Sequence, residues 1–433
     1  MNIKQFAKTR FATNTFWIIF GRIYQIAINL VVSILSVRYL GPSNYGLINY
    51  AASFSSLFTA FCTLGIDEVM VNELITKPQK QGRLIGTAVV LRICSSIFSV
   101  LTICLIVYAL NPGETLTFWV TLLYSFGLVL QSLEVIKYFY QQRLMSKVTS
   151  LLTVIARTIV AIYKILLLVM SKNVLWFAAS NIVDHGVFGI LLALCYCKHK
   201  EPGQGLRCES SLASELLKKS HHFILSGLMV ALYGQMDKIM LKHLMDEAQV
   251  GFYSVATTVN NYWPFILTAI IESARPVIIE LFGKDQELFK KRLTQLYSAV
   301  IGISVIAAVG ISVFAKPIIL LLYGEGYMSS VGALRIVTWS TAFSYLGVAR
   351  SIWVVPNGQQ HFEKYLAAIG AVCNATLNYL MIPVWGICGA AIATLITQIV
   401  TNFFCGVFFR PLRENMQLML KALDYRWLFR KQR

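Results

Sequence analysis

Apolar runs alternate with short polar segments along almost the entire chain. Twelve such runs can be read from the sequence, near residues 13–37, 46–72, 84–110, 115–136, 148–170, 174–197, 221–241, 251–282, 294–315, 331–355, 362–383 and 386–409. A helix needs roughly 20 predominantly apolar residues to cross the hydrocarbon core of a bilayer. The pattern therefore predicts an all-α polytopic membrane protein with about twelve transmembrane helices.

Composition agrees with this prediction and leaves no room for a sizeable soluble domain. Of the 433 residues, 57% are hydrophobic and 13% are charged, whereas a soluble protein is about 45 to 50% apolar. The first run is longer than the core of a signal peptide, and no small-residue cleavage site follows it. We therefore interpret it as an uncleaved first span.

The formal net charge of +18 is explained by where the lysine and arginine residues lie. If the N-terminus is cytosolic, most of the 38 basic residues fall in tails and loops on the cytosolic side. The outer loops then hold only Arg38, Lys172, Lys242 and Lys316. Because cytosolic loops are enriched in Lys and Arg, both termini are predicted to be cytosolic. No nucleic-acid partner is needed to account for the charge.

The longest connection, residues 198–219, contains Pro202 and two glycines and divides the twelve runs six and six. It predicts a cytosolic linker between an N-terminal six-helix lobe, 1–197, and a C-terminal six-helix lobe, 220–410. The remaining segment, 411–433, is basic and carries several apolar residues among its charges. It is interpreted either as a helix lying on the cytosolic leaflet or as a solvated tail.

A polar stripe recurs in the two halves of the sequence. A shift of 205 residues places the second run on the eighth, with Asn49 on Ser254, Ser53 on Thr258, Ser56 on Asn261, Thr63 on Thr268 and Asp67 on Glu272. At about 100° per residue, each set falls within about 80° of its helix surface. Because unpaired polar groups are costly in hydrocarbon, matching stripes predict a central cavity between the lobes. The alternative is that these side chains only join neighbouring helices.

Ionisable residues inside the runs are the leading candidates for function, because a charge at membrane depth is costly unless it is paired or hydrated. Guanidinium groups bind phosphate oxygens in a bidentate manner, and amides hydrogen-bond sugar hydroxyls. The predicted substrate path contains Arg22, Asn29, Asn49, Arg157, Lys164, Asn261, Arg275, Arg335 and Arg350. The predicted ion-coupling residues or charge pairs are Asp67, Asp237, Lys238 and Glu272.

Two prolines interrupt the eighth run. Pro264 and Pro276 each remove one backbone hydrogen bond from a helix and favour a kink or a break. The sequence therefore predicts a bent eighth span, which either flexes during function or holds a fixed bend.

No motif for a metal or another cofactor stands out. Cys195, Cys197, His199 and Cys208 lie close in sequence, but their spacing fits no standard zinc finger. The chain also has no nucleotide-binding loop, so direct ATP drive is not expected. Neither a metal nor a cofactor is predicted.

Five short segments carry a resemblance to a known family: Arg38–Gly46, Asp237–Leu241, Val250–Ala256, Tyr323–Tyr327 and Trp385–Ala393. They resemble bacterial polysaccharide exporters, most of all the O-antigen flippases of the Wzx type, in the superfamily that also holds the MATE drug exporters. The resemblance covers essentially the full chain. It has no strict catalytic motif to transfer, so the candidate residues above rest on their own chemistry.

The resemblance implies a two-lobed, twelve-helix, MATE-like fold that works by alternating access in the bacterial inner membrane. The implied cargo is an undecaprenyl-pyrophosphate-linked oligosaccharide, such as an O-antigen repeat unit, moved from the cytosolic to the periplasmic leaflet. Coupling to an ion gradient is also implied. The expected partners are this cargo, bilayer lipids and other membrane proteins of polysaccharide assembly.

Two other functions stay open from the sequence. A MATE-like exporter of cationic drugs or of another lipid would have the same spans, and cavity charge would distinguish it, since cationic drugs favour acidic walls. A membrane polysaccharide polymerase would be expected to show large outer loops, and a glycosyltransferase an Asp-x-Asp metal site. Neither feature is present, so a transporter is favoured over an enzyme.

Overall fold

The computed structural model describes residues 3–200 and 203–424, and the described part is helical almost throughout. Its α-helices are α1 Ile3–Thr63, α2 Ile66–Thr76, α3 Gln81–Leu110, α4 Thr115–Gln131, α5 Lys137–Gln142, α6 Ser146–Val169, α7 Val174–His199, α8 Ser210–Leu244, α9 Glu247–Asn261, α10 Phe265–Ile279, α11 Gln286–Tyr323, α12 Ser330–Val354, α13 His361–Gln398, α14 Cys405–Phe408 and α15 Arg413–Ala422. Short 3₁₀ turns occur at Pro78–Lys80, Ser132–Ile136, Glu325–Tyr327 and Arg410–Leu412, and Ile399–Phe403 forms a π-helical turn. No β-strand occurs within the described ranges.

Two of these helices contain two spans each. The 61 residues of α1 would extend about 90 Å at 1.5 Å per residue, three times the hydrocarbon thickness of about 30 Å. The helix breaks at Gly41, whose φ is 71°, and Pro42 follows without an amide hydrogen to donate. In α13 the chain breaks at Gly386, with a φ of 54°. Each glycine separates two of the runs predicted from sequence.

The helical segments coincide with the twelve predicted runs. Eight stretches of the described chain are long and apolar enough to cross a membrane, and α9 with α10, bent by 42°, makes a ninth. The breaks at Gly41 and Gly386 divide two of these stretches. The remaining run corresponds to α12, which carries Arg335 and Arg350 among its apolar residues. The fold is that of a polytopic all-α membrane protein.

The predicted bend in the eighth span lies at the first of its two prolines. α9 ends at Asn261 and α10 begins at Phe265, directly after Pro264. By contrast, Pro276 lies inside α10, which continues to Ile279 without a break. The bend prediction is confirmed at Pro264. Pro276 is accommodated inside α10, where it removes only the hydrogen bond that its amide would donate to the Glu272 carbonyl oxygen.

The chain folds as two compact units, Met1–Ala231 and Leu232–Arg433. The first has a core around Ile66, Leu84 and Phe139, and the second a core around Phe289, Trp353 and Leu366. The boundary falls inside α8 rather than in a loop.

The described part of the predicted linker, 198–200 and 203–219, packs against the first unit. Its second half forms the start of α8, where Leu212 and Leu216 are buried in the core of that unit. Gly82 of α3 lets the linker backbone approach closely, since a Cβ there would fall 2.6 Å from the carbonyl oxygens of Gln204 and Gly205. The sequence prediction overlooked this spacing of leucines every four residues, which is typical of a buried helix face.

Charge pairs hold the same segment in place. Lys77 contacts Glu73 at 3.2 Å and Glu215 at 2.5 Å, and Lys219 contacts the same two carboxylates at 2.6 and 2.7 Å. The hydrogen bond to Glu215 raises the pKa of Lys77. The start of α8 is therefore an integral part of the first unit.

The described part of the C-terminal segment packs on the second unit. Within 413–422, α15 buries Asn415, Leu418 and Met419 against the second unit. Asn415 donates to the Tyr297 hydroxyl at 2.7 Å, and Lys290 of α11 pairs with Glu414 at 2.6 Å. One side of α15 is therefore packed on α11, while Arg413, Gln417 and Lys421 on its other side are exposed. The last residues of the predicted tail, 425–433, lie outside the described residues.

Candidate functional site

Each unit encloses a polar cavity of its own. The first cavity, about 310 Å³, lies among α1, α4, α6 and α7 and is lined by Asn29, Ser33, Ser36, Tyr45, Asn49, Tyr124, Arg157, Lys164, Ser180, Asn181 and Asp184, with apolar neighbours between them. The second cavity, about 410 Å³, lies among α8, α9, α12 and α13 and is lined by Tyr233, Gln235, Asp237, Lys238, Tyr253, Asn260, Asn261, Ser340, Thr341, Thr394 and Gln398, again with apolar neighbours.

Three charged side chains line the first cavity. Arg157 and Lys164 are seven residues apart, about two helical turns, and so share one face of α6. Arg157 forms an ion pair with Asp184 of α7. Lys164 makes no hydrogen bond or ion pair with any residue that the structure describes. The first cavity therefore has one neutralised pair and one free ammonium group.

The uncharged lining of the first cavity is rich in hydrogen-bonding groups. Asn29 is exposed to the cavity, and Asn49 donates to the Tyr45 carbonyl oxygen at 2.9 Å while its own oxygen remains available. The Ser36 hydroxyl and one oxygen of Asp184 are buried without a hydrogen-bond partner in the described structure. Buried polar groups normally have partners, so these two atoms are exceptions at the wall of the first cavity.

A buried carboxylate organises the second cavity. Asp237 is 6% exposed and accepts three hydrogen bonds from uncharged donors, each at 2.6 Å: the Tyr253 hydroxyl, the Thr394 hydroxyl and the Asn378 amide. No cationic side chain of the described residues pairs with it. Asp237 is therefore held by uncharged donors, whereas Asp184 is paired with an arginine.

Two further polar features complete the second cavity. Asn378 also donates to the Asn374 oxygen at 3.0 Å, and its own oxygen is buried without a partner. Lys238, the neighbour of Asp237 in sequence, lines the cavity and forms no hydrogen bond or ion pair within the described ranges. The second cavity thus combines a buried cluster of oxygen atoms with one free ammonium group.

The 205-residue shift found in the sequence also relates the two cavities. It pairs lining positions Asn29 with Gly234, Ser33 with Lys238, Ile48 with Tyr253, and Ala52 with Thr257. Corresponding helices of the two units therefore contribute the walls. The cavities are repeats of one architecture that carry different side chains.

Seven of the thirteen residues predicted from sequence line a cavity. Asn29, Asn49, Arg157 and Lys164 line the first, and Asn261, Asp237 and Lys238 line the second. Four others form contacts away from these cavities, namely Asp67 with Arg92 at 2.7 Å, Glu272 with Arg275 at 2.9 Å, and Arg335 with the Ser312 carbonyl oxygen at 3.1 Å. Asp67 and Glu272 each form an ion pair with an arginine, which is one of the two roles predicted for them, the other being ion coupling.

The remaining two predicted residues differ from each other. Arg22 is exposed and makes no hydrogen bond or ion pair with the described residues. Arg350 is 2% exposed, and Glu363 and backbone carbonyl oxygens of the second unit accept its hydrogen bonds. Arg350 therefore lies behind the wall of the second cavity, not on its surface.

Sequence reasoning missed Asp184, Tyr253, Asn378 and Thr394 as site residues. A signal existed for some of them, because polar residues four apart mark one helix face. Asn374 with Asn378, and Thr394 with Gln398, follow this spacing within otherwise apolar runs. The role of Tyr253 needs the fold, since its partner Asp237 lies on another helix.

Comparisons with known proteins agree with this architecture. The chain is 30% identical over 173 residues to "Probable flippase AglR" of Haloferax volcanii, a match that spans 38% of this chain and 36% of that relative. It is 21% identical over 375 residues to "Capsular polysaccharide biosynthesis protein CapF" of Staphylococcus aureus, covering 86% and 92% of the two chains.

Solved structures show the same fold. An inward-facing MATE family transporter of the MOP superfamily matches with a TM-score of 0.70 at 14% identity, over 92% of this chain and 96% of that one. The inward closed conformation of the lipid II flippase MurJ matches with a TM-score of 0.69 at 13% identity, over 96% and 92%. The fold is therefore MATE-like.

Family profiles match both halves of the chain. The MatE profile matches residues 223–380. The profile described as "Polysaccharide biosynthesis protein" matches residues 11–282, well over half of the sequence. With this match, the chain belongs to the polysaccharide biosynthesis protein family.

Proposed function

We propose that this protein is a flippase that moves an undecaprenyl-pyrophosphate-linked oligosaccharide, such as an O-antigen repeat unit, across the bacterial inner membrane. Transport would run from the cytosolic to the periplasmic leaflet by alternating access, with both termini cytosolic. The family membership, the relatives named for flipping and capsule synthesis, and the fold shared with MurJ support this proposal.

The observation that carries the proposal is the state of the charges in the two cavities. In the first cavity Arg157 and Lys164 face a single acid, Asp184, so its charged side chains sum to one positive formal charge. In the second cavity the formal charges of Lys238 and Asp237 balance. The surplus cation of the first cavity favours an anionic cargo over a cationic drug.

The uncharged lining supports a sugar-bearing cargo. Amide and hydroxyl groups such as Asn29, Ser36 and Asn49 in the first cavity, and Asn261 and Gln398 in the second, offer both donors and acceptors. Hydroxyl-rich sugars need such paired donors and acceptors when they leave water. No catalytic group is required, and we propose a transporter and not an enzyme.

Ion coupling is proposed at Asp237. Of the predicted coupling acids, Asp67 and Glu272 are held by arginines, whereas Asp237 is surrounded by neutral oxygen and amide groups. A carboxylate with hydroxyl and amide oxygens beside it is a suitable site for a proton or a small hard cation. Binding of that ion would change the charge of the second cavity during each transport cycle.

The test uses the source bacterium with the gene deleted and plasmid copies of variants added back. Lys164→Ala and Lys238→Ala should each lower surface polysaccharide at least tenfold at normal membrane levels of protein, since removing a charged contact costs about 1.5 to 3 kcal/mol. Lipid-linked units should accumulate on the cytosolic leaflet. Lys291→Ala is the matched control, because Lys291 is exposed and lines neither cavity.

Two outcomes would contradict the proposal. Unchanged polysaccharide in the deletion strain, with lost resistance to cationic compounds, would instead establish the drug-exporter function. Normal transport by both lysine variants would mean that these ammonium groups do not recognise the cargo.

A further inference from the structure

The side chain of Arg350 is fully engaged by groups of the second unit. Its Nε and Nη2 donate to the two carboxylate oxygens of Glu363 at 3.0 and 2.8 Å. Its Nη1 donates to the carbonyl oxygens of Thr401 and Asn402 at 3.1 and 3.4 Å, and Nη2 also reaches the Asn402 side-chain oxygen at 3.4 Å. All five guanidinium N–H groups are thus occupied, which leaves none to bind a phosphate.

The carbonyl oxygens that Arg350 binds belong to an irregular helix end. After α13 ends at Gln398, residues 399–403 form a π-helical turn, in which the Phe404 amide donates to the Ile399 carbonyl oxygen at 3.1 Å. Carbonyl groups at a helix end lack partners within the helix. Arg350 supplies donors to two of them, so it stabilises a turn that the backbone alone leaves short of hydrogen bonds.

A direct chain of contacts leads from this turn to the second cavity. The Asn402 side chain donates to the Gln398 side-chain oxygen at 2.5 Å, and Gln398 lines the cavity. Thr394, one helical turn earlier, also lines it and donates to Asp237 at 2.6 Å. The π turn is therefore linked by one side-chain hydrogen bond to Gln398, a lining residue.

Arg350 also joins the two ends of α13. This helix reverses at Gly386, so Glu363 near its start and Thr401 beyond its end both reach the same guanidinium. Gly347, one turn before Arg350 on α12, makes room for this arrangement, because a Cβ there would overlap the Asn402 side chain. The site is built from three segments that meet at one buried side chain.

We propose that Arg350 is a positioning residue for the second cavity: it holds the π turn at 399–403 and thereby places Gln398, without touching the cargo. Lysine cannot replace it, because one ammonium group cannot serve a carboxylate and two carbonyl oxygens in a planar fork. The role of Arg350 in holding the π turn follows from the hydrogen bonds above, and its consequence for transport rests on the proposed function.

Hydrogen exchange of the purified full-length protein tests the positional claim without any cargo. In Arg350→Lys, amide exchange should become at least tenfold faster across residues 399–405 and remain unchanged in α11, since local opening raises exchange only in the opened segment. Gly347→Ala should reproduce this local effect with every charge intact, because it displaces Asn402 directly. Arg335→Ala on the same helix is the control, as Arg335 binds only a carbonyl oxygen of α11.

Transport by the same variants tests the consequence. Arg350→Lys and Gly347→Ala should raise the cargo concentration needed for half-maximal transport, while Arg335→Ala should match wild type. Glu363→Gln provides a milder variant that keeps a hydrogen-bond acceptor for Arg350 and is expected to fold. It should show a smaller local increase in exchange than Arg350→Lys.

The outcomes separate the two proposals. Unchanged exchange at 399–405 in both Arg350→Lys and Gly347→Ala would overturn the positional role. Exchange that rises throughout the second unit would mean that Arg350 serves only general stability, which also overturns it. Local exchange changes in a protein that moves no lipid-linked sugar would leave the positional role standing and reject the proposed function.

Discussion

The two cavities are built from corresponding helices, but their acids have different partners. In the first, the Asp184 carboxylate is paired with the Arg157 guanidinium, so a fixed positive charge offsets it. In the second, hydroxyl and amide donors surround Asp237, and no lysine or arginine of the described residues forms an ion pair with it. Repeated architecture therefore does not imply repeated chemistry, and the proposed ion coupling rests on the second carboxylate.

The largest effect is expected from Asp237→Asn, which tests whether the second cavity carries the ion coupling. With the new amide oxygen facing Tyr253 and Thr394, both keep an acceptor, and only the hydrogen bond from Asn378 is lost. The fold should therefore persist, but the ionisable group is gone. Transport driven by an ion gradient should fall at least tenfold, a loss of about 1.4 kcal/mol or more in coupling free energy. Uptake into proteoliposomes with and without an imposed gradient measures this.

Retained gradient dependence in Asp237→Asn would show that coupling lies elsewhere. Asp184→Asn serves as the matched variant from the first cavity, and its transport should keep the full gradient dependence of wild type even where its stability falls.

A double-mutant cycle measures the coupling energy of the Arg157–Asp184 pair in the first cavity. Arg157→Ala and Asp184→Ala alone should each lower the free energy of unfolding by about 2 kcal/mol, since each leaves a partly buried charge unpaired. The double variant should lose less than the sum of the two. Thermal unfolding in detergent measures all three, and strictly additive losses would mean that the pair contributes no coupling energy.

The smallest expected effect is on the pH dependence of stability at Glu209, directly before α8. Hydrogen bonds from Ser211 and Arg83 lower the pKa of Glu209. A carboxyl whose folded pKa is lowered contributes stability above its unfolded pKa of about 4.3 and loses it as the pH falls through the folded value. Glu209→Gln should therefore reduce the acid-induced fall in Tm slightly, and an identical pH profile would exclude this contribution.

Much of the fold was predictable because hydrophobic run length and glycine or proline breaks are local signals. The twelve runs, the bend at Pro264 and the separation of spans at Gly41 follow from residues next to one another in sequence. The packing of α8 and α15 was not predicted, because the pattern of a short amphipathic helix shows that it has an apolar face but not which surface that face contacts. Glu73, the partner of Lys219 in α8, and Tyr297, the partner of Asn415 in α15, each lie more than 100 residues away in sequence.

The candidate site was predictable only as a set of polar residues. Spacing on one helix placed Arg157 and Lys164 on a shared face, and the structure brings them to one cavity. Spacing could not tell a cavity cation from a structural one. Arg350 and Lys238 both sit in apolar runs, and only the position of Glu363 and of the irregular turn at 399–403 distinguishes their environments.

The ordered start of α8 also constrains how the polypeptide can be assembled. A protein made as two separate pieces, cut between 200 and 203, would leave the first piece with an open groove where Leu212 and Leu216 belong. The second piece would carry the start of α8, including Glu215 and Lys219, which pair with Lys77 and Glu73 of the first piece. The two pieces should consequently associate through the start of α8, which completes the core of the first unit.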